Sequence, residues 1–266
     1  MEGSALRGTG GRVPALHGAR SGLPGGIHHH GGGAQEIVIY DLARDLLPPP
    51  LRRYVMHFET STERAGAEFA ASLPRGARVL DAGAGEGNYK HAFHQQRYYG
   101  LDLAIGDAKW DYSRLDVIGD LSALPFRDAS LDGCLNVVTL EHVRQPAGVI
   151  AELARTLVPG GRLLLIAPQE WEEHQQPHDF YRYTRYGLEY LMRQAGLADI
   201  SIRPVGGFFR LLARRLLNAL QFFPGPFMLV AALFFVPPAL VLPLFEPLDR
   251  RRNFTLGYIC SARKPV

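Results

Sequence analysis

The chain has 266 residues, 47% of them hydrophobic, enough for one large core with extensions. The formal net charge of +3 is unevenly placed: residues 35–200 carry 17 basic against 23 acidic side chains, and residues 201–266 carry nine against two. An acidic body, and basic residues that flank apolar sequence instead of interleaving with aromatics, exclude a nucleic-acid partner. Two cysteines, Cys134 and Cys260, sit in apolar strand-like runs and read as buried thiols of a reducing compartment. No zinc-ligand spacing is present, so no metal site is expected.

Residues 1–34 are about a third glycine and include His28, His29 and His30. Such a stretch buries too little to offset its ordering entropy, so a disordered N-terminal extension is expected. It lacks the continuous apolar core of a secretory signal. The histidines read as a polar tract and not as a ligand set. Glu36–Leu47 reads as a short amphipathic helix ended by Pro48–Pro50. Residues 51–73 read as a second helix, with Phe58, Ala65, Phe69 and Leu73 at helical spacing. Tyr54, His57 and Glu59 on it face either a ligand or the core.

Residues 79–87, VLDAGAGEG, set the pattern for the rest of the chain. Val79 and Leu80 suit a buried parallel strand over 77–81. Gly83, Gly85 and Gly87 permit backbone angles that a Cβ forbids, and close approach of a ligand. Asn88 to His94 is expected to start a helix whose amides point at that ligand. The loop is G-x-G-x-G, with its third glycine one residue too early for the dinucleotide fingerprint. No lysine comes after it as in a P-loop. Asp102 ends the next apolar run, about 20 residues on, where a carboxylate can take ribose hydroxyls. These residues point to a nucleoside-containing cofactor, with a tight structural turn as the plain alternative.

Further strands are expected at 98–102, at Val117–Ile118, at 131–140 and at 162–168. The helix GVIAELARTL lies before the last of these, stopped by Pro159, Gly160 and Gly161. Trp110 and Tyr112 are flat side chains able to pack on an adenine or on the core. The alternation of strand and helix gives an α/β fold with a doubly wound parallel sheet covered on both faces.

VLDAGAGEG, the acid in GLDLA, GDLSALPF, LNVVTLEHV and ELARTLVPGGRLLLIAP together resemble the successive motifs of class I S-adenosylmethionine-dependent methyltransferases, of the bacterial type-11-like kind. The likeness runs over about residues 76–200. It implies a Rossmann-like methyltransferase domain, an α/β, doubly wound, mostly parallel seven-stranded sheet, with S-adenosyl-L-methionine as cofactor. It implies that Asp81, Ala82, Gly83, Ala84, Gly85 and Asn88 cradle the methionine part, with Asp81 near its ammonium. Asp102 and Leu103 would hold the ribose. Asp120 would accept from the adenine amino group, and the Leu121 amide would meet a ring nitrogen. Asn136 and Val137 would offer a backbone carbonyl to the ammonium, and His142 would lie near the methyl end.

After the fifth strand comes QEWEEHQQPHDFYRYTRYGLEYLMRQAG, with Thr184 as N-cap of a helix over 185–195 that Gly196 ends. A loop there overhangs the site and forms the substrate wall. His178, oriented by Asp179 or another acid, is the first candidate for a base, and His142 the second. A structural hydrogen bond is the alternative for each. Arg182 meets either an anionic substrate or Asp179.

Residues 197–206 and 254–263 read as the last two strands. Between them Leu216–Phe245 carries no charged side chain, with Arg210, Arg214 and Arg215 on one flank and Arg250, Arg251 and Arg252 on the other. The run is long enough to span a bilayer. If both flanking strands close one sheet, a single crossing is excluded. Pro224, Pro226, Pro237, Pro238 and Pro243 are expected to break it into separate helices, forming a hairpin or lying in the headgroup plane, with the arginines on anionic lipid. An apolar subdomain or a homodimer face is the alternative.

The expected organisation is thus a disordered 1–34, a methyltransferase domain over 35–207 plus 253–266, and an apolar helical insertion over 208–252. The expected function is methyl transfer to a small-molecule or lipid-linked acceptor, at the inner face of the cytoplasmic membrane. A non-catalytic S-adenosylmethionine-binding protein and a nicotinamide-dependent oxidoreductase are the rival readings.

Overall fold

The computed structural model describes residues 47–106 and 110–266. The expected glycine-rich extension and the Glu36–Leu47 helix fall outside the described residues, which begin at Leu47. Within the described residues, Pro48–Pro50 open a helix. In α1 (Pro49–Val55), Pro48 is the N-cap and prolines fill the first two positions, where a missing N–H costs nothing. The chain breaks at Met56 and resumes as α2 (His57–Ser72).

The strands are β1 (Arg78–Ala82), β2 (Arg97–Asp102), β3 (Val117–Ile118), β4 (Leu131–Val137), β5 (Leu157–Pro168), β6 (Ala198–Val205) and β7 (Gly257–Arg263). They form one sheet in the order β3-β2-β1-β4-β5-β7-β6. The first five strands are parallel and β7 runs antiparallel to both its neighbours. Period-two alternation sends successive side chains to opposite faces. Leu80, Leu163, Leu165 and Cys260 enter one core, against α3 (Pro146–Thr156) and α4 (Arg185–Gln194). Val79, Leu164, Ile166 and Ile259 enter the other, against Phe58 and Phe69 of α2. Each fully buried Leu or Ile contributes roughly 2 kcal/mol relative to exposure. Cys134 and Cys260 are free, buried thiols.

Two local expectations are corrected. The chain after β1 does not form an α-helix from Asn88 to His94, only a single 3-10 turn, Lys90–Phe93. The α3 helix ends at Thr156, before Pro159-Gly160-Gly161, which lie inside a twelve-residue β5 as an irregular stretch. There Gly160 takes φ +77° and its N–H donates to Lys264 O. The ends of α4 agree with the sequence: Thr184 Oγ1 accepts from Gly187 N at 3.1 Å, and Gly196 adopts φ +78°.

Between β6 and β7 lie α5 (Phe208–Asn218), a 3-10 turn Ala219–Phe222, α6 (Pro226–Val241) and a 3-10 segment Leu242–Leu248. α5 packs on α6 and on the segment after it. The far end closes on the near end. Asp249 Oδ2 accepts from Phe208 N at 2.8 Å and Glu246 Oε2 from Arg210 N at 3.1 Å, capping two first-turn amides of α5. Pro237 and Pro238 do not break this run as expected: both lie inside α6, and regular geometry yields to 3-10 only at Leu242.

The arginines of α5 also depart from expectation, because they face protein. Arg214, 8% exposed, pairs with Glu59 at 2.8 Å and stacks 3.8 Å over the Trp171 ring. Arg215 pairs with Glu172, and Arg210 donates to Tyr54 O. Tyr54 donates from its hydroxyl to Leu240 O at 2.6 Å, and His57 lies in a cleft beside Arg210 and Leu217. Tyr54, His57 and Glu59 therefore meet the α5–α6 region.

Candidate functional site

The carboxyl ends of β1, β2 and β4 open onto a cavity of about 300 Å³. Its floor is the glycine loop, where Gly83, Gly85 and Gly87 all have positive φ (84°, 52° and 71°). Gly83 has a second reason to be glycine. A Cβ there would lie 2.2 Å from Thr139 Cγ2 and 2.8 Å from Thr139 Cβ. This close approach joins the β1 loop to the turn after β4.

Gly83, Ala84, Gly85, Asn88, Asp102, Leu103, Asp120, Leu121, Val137, His142 and His178 all line the cavity. Asp102 is held in place by two amides: Gly85 N donates to Oδ2 at 3.0 Å and Ala104 N to Oδ1 at 2.8 Å. Each oxygen keeps a lone pair for a hydroxyl donor. Asp120 is exposed, with Oδ1 accepting from Ser122 N at 2.8 Å.

Asp81, Ala82 and Asn136 are not on the cavity wall but beneath it. Asn136 is fully buried and donates from Nδ2 to Ala82 O at 2.7 Å, tying β4 to β1. Asp81 is 1% exposed, and its Oδ2 accepts from the Tyr98 hydroxyl at 2.5 Å. Burial pushes the Asp81 carboxyl up to about 7, against the opposing effect of the Tyr98 hydrogen bond.

The structure adds wall residues that carried no sequence signal, among them Tyr89, Val138, Thr139 and Gln175. Tyr89 reaches the site because Gly66 of α2 leaves room for its ring. A Cβ at Gly66 would lie 2.6 Å from Tyr89 Cδ1. Trp110, noted for its flat side chain, is on the wall, with Tyr112 6.2 Å away ring to ring.

The segment after β5 is stitched to the 3-10 turn Leu140–His142. Phe180 N donates to Glu141 O at 2.9 Å, and the Tyr183 hydroxyl to Leu140 O at 2.8 Å. Asp179 does not orient His178. It forms a fork with Arg182, at 2.6 and 2.7 Å, and accepts from His174 N at 2.9 Å. Burial alone would raise the Asp179 carboxyl, but these partners outweigh it and hold it below the usual carboxylate range. Of the two partners foreseen for Arg182, the structure gives Asp179. His178 contributes its carbonyl, which accepts from His142 Nδ1 at 2.7 Å. Burial lowers the His142 pKa, so the ring is neutral at pH 7. Beneath it Glu141 is 0% exposed, and burial pushes its carboxyl up to about 8.

Residues 80–165 match the family model described as "Methyltransferase domain". The demethylmenaquinone methyltransferase of Renibacterium salmoninarum is 34% identical over 124 residues, 44% of this chain and 49% of that protein. The chain spans less than half the length of the curated relatives it matches first. Among solved structures, phosphoethanolamine N-methyltransferase 2 of Haemonchus contortus, in complex with S-adenosyl-L-methionine, superposes with a TM-score of 0.51 at 15% identity. That likeness covers 86% of this chain and 60% of that one. The protein solved in complex with the Haloferax volcanii Trm112 methyltransferase activator gives 0.51 at 20% identity, covering 86% and 98%. The last two likenesses concern the fold alone, and the family match falls on the segment that builds the cavity floor. With β7 reversed between β5 and β6 and a glycine loop beneath the cavity, the chain carries a class I S-adenosylmethionine-dependent methyltransferase domain.

Proposed function

We propose that the chain transfers a methyl group from S-adenosylmethionine to an amphiphilic acceptor, such as a lipid-linked sugar, a quinone or a lipid precursor, at a membrane surface. The observation that carries the membrane part is the outer face of residues 222–248. Phe222, Leu233 and Phe234 are 77%, 75% and 71% exposed, and Leu229, Leu244 and Leu248 are comparably open. A contiguous apolar face of this kind marks a contact with lipid or protein. Pro226–Leu248, 23 residues, is one helical stretch long and apolar enough to cross a membrane. Its flanking strands are paired at Val205 and Gly257, however, so both ends return to one sheet edge. Monotopic seating fits that geometry, with the exposed Arg250 and Arg251 at the rim.

In this reading the glycine loop takes the methionine part, Asp102 the ribose hydroxyls, and Asp120 with the Leu121 amide the adenine. The bound cofactor supplies an electrophilic methyl on a sulfonium. The wall of Val137, Val138, Thr139 and His142 aligns the acceptor for in-line attack. His178 stands at the cavity as the base for an oxygen acceptor. A demethylmenaquinone methyltransferase among the relatives is compatible with the quinone option.

Labelled methyl transfer into a membrane and lipid extract, with mass identification of the product, tests the reaction. Flotation with anionic vesicles tests the seating. Leu229→Ser, Leu233→Ser and Phe234→Ser combined should leave the protein in the soluble fraction with cofactor binding intact. Product found only among water-soluble metabolites, or undiminished flotation, overturns the membrane reading. A concentration-dependent dimer lost in the triple variant would assign the face to a second copy.

A further inference from the structure

We propose that Glu141, His142 and His174 bind a divalent first-row transition cation, zinc being the ion their donor set suits best. The sequence led to the opposite expectation, because these residues lie in two separate segments with no recognisable ligand spacing. In the structure one donor atom from each lies within 4.8 Å of the other two.

Glu141 carries the argument. It is completely buried, and neither of its carboxylate oxygens has a hydrogen-bond partner. A buried carboxyl left this way is costly and calls for a proton, a donor or a cation. Its nearest basic atom is His142 Nε2, 3.8 Å from Oε1, which is also buried and without a hydrogen-bond partner. Arg182, a nearby cation, is engaged by Asp179.

The tautomers support the same conclusion. His142 Nδ1 lies 2.7 Å from His178 O, and His174 Nδ1 lies 3.0 Å from Glu172 O. A carbonyl only accepts, so both Nδ1 atoms carry a proton, and Nε2 is the atom each ring has left to ligate with. Metal-ligating histidines characteristically donate their other N–H to a carbonyl or carboxylate in this way. Asp179 stands behind both rings, 3.5 Å from His174 Nδ1 and 4.0 Å from His142 Nδ1. Two imidazoles and one carboxylate form a borderline-soft set typical of zinc sites that keep a position open. Bonds of about 2.0–2.2 Å put tetrahedral ligand atoms roughly 3.3–3.6 Å apart. Closing the donor atoms from at most 4.8 Å to that spacing, a movement of up to about 1.5 Å on the partly exposed segment after β5, completes the site. The ion would then fasten that segment to the turn after β4, beside the cavity wall that His142 and His178 share.

The test uses the full chain with His28→Ser, His29→Ser and His30→Ser, which removes the terminal imidazoles. After chelator treatment it is titrated with Co²⁺, read by visible absorption, and with Zn²⁺, read by calorimetry. The expected result is one ion per chain, with His174→Asn and Glu141→Gln each weakening uptake at least tenfold. His174→Asn should keep its near-ultraviolet circular dichroism and its S-adenosylmethionine binding. Absence of uptake by the parent chain, or uptake that His174→Asn leaves unchanged, overturns the proposal. Neither readout depends on methyl transfer, so the reaction and the metal site stand or fall separately.

Discussion

Gly83→Ala is the most direct probe of how the cavity floor is held. The residue sits at φ +84°, where an L-side chain costs roughly 1–2 kcal/mol. Its new Cβ would lie 2.2, 2.5 and 2.8 Å from Thr139 Cγ2, Oγ1 and Cβ. Rotating Thr139 relieves the first two contacts but not the third, since Cβ moves only with the backbone. Overpacking of this kind costs typically about 1–3 kcal/mol. The sum is a loss of about 2–5 kcal/mol in urea unfolding, with weakened S-adenosylmethionine binding by calorimetry because Thr139 lines the cavity. Thr139→Gly removes all three contacts, so the double variant should recover the steric part and leave the backbone part. A coupling energy of about 1–3 kcal/mol is expected from the cycle. A Gly83→Ala loss below about 1 kcal/mol, or no coupling to Thr139, would refute the reasoning.

Asp81 gives a pH signature. Its folded pKa of about 7 lies above its ordinary value of 3.8, so the unfolded chain sheds this proton first. The group therefore lowers stability as pH rises from about 4 to 7, by on the order of 4 kcal/mol in all. Asp81→Asn should flatten the urea midpoint across that window, and an unchanged pH slope would contradict the assignment. Asp102→Ala leaves two loop amides without their acceptor and removes the proposed ribose ligand. Cofactor affinity should fall roughly 30- to 100-fold by calorimetry. Arg214→Met breaks a largely buried pair with Glu59 and the stacking on Trp171. Unfolding should show a loss of about 3–5 kcal/mol, with proteolysis opening first within residues 208–252.

The sheet was legible because its determinants are local. Alternating apolar residues and glycine or proline turns recur at every strand end, and the acids at positions 102 and 120 sit where short strands stop. Asp81 was expected beside the ligand from its motif position, but motif position carries no information on how deeply a side chain at a strand end is buried. The arginines of α5 were read as lipid-facing because their sequence neighbours are apolar. Their true partners are 155 and 43 residues away. Tyr89 enters the wall only through the gap at Gly66, a fit between two distant positions. The burial of Glu141 is likewise set by the segment after β5 folding over it, which no spacing in LEHV encodes.

The pairing of Val205 with Gly257 has a consequence for how this chain can change. Its 51 intervening residues leave and re-enter the sheet at neighbouring points. Replacing them with a turn some tenfold shorter alters loop closure by only about 2 kcal/mol. The strand register is thus indifferent to what hangs from it. One helical insert can be exchanged for another while the cavity floor, built from the opposite half of the sheet, keeps its shape.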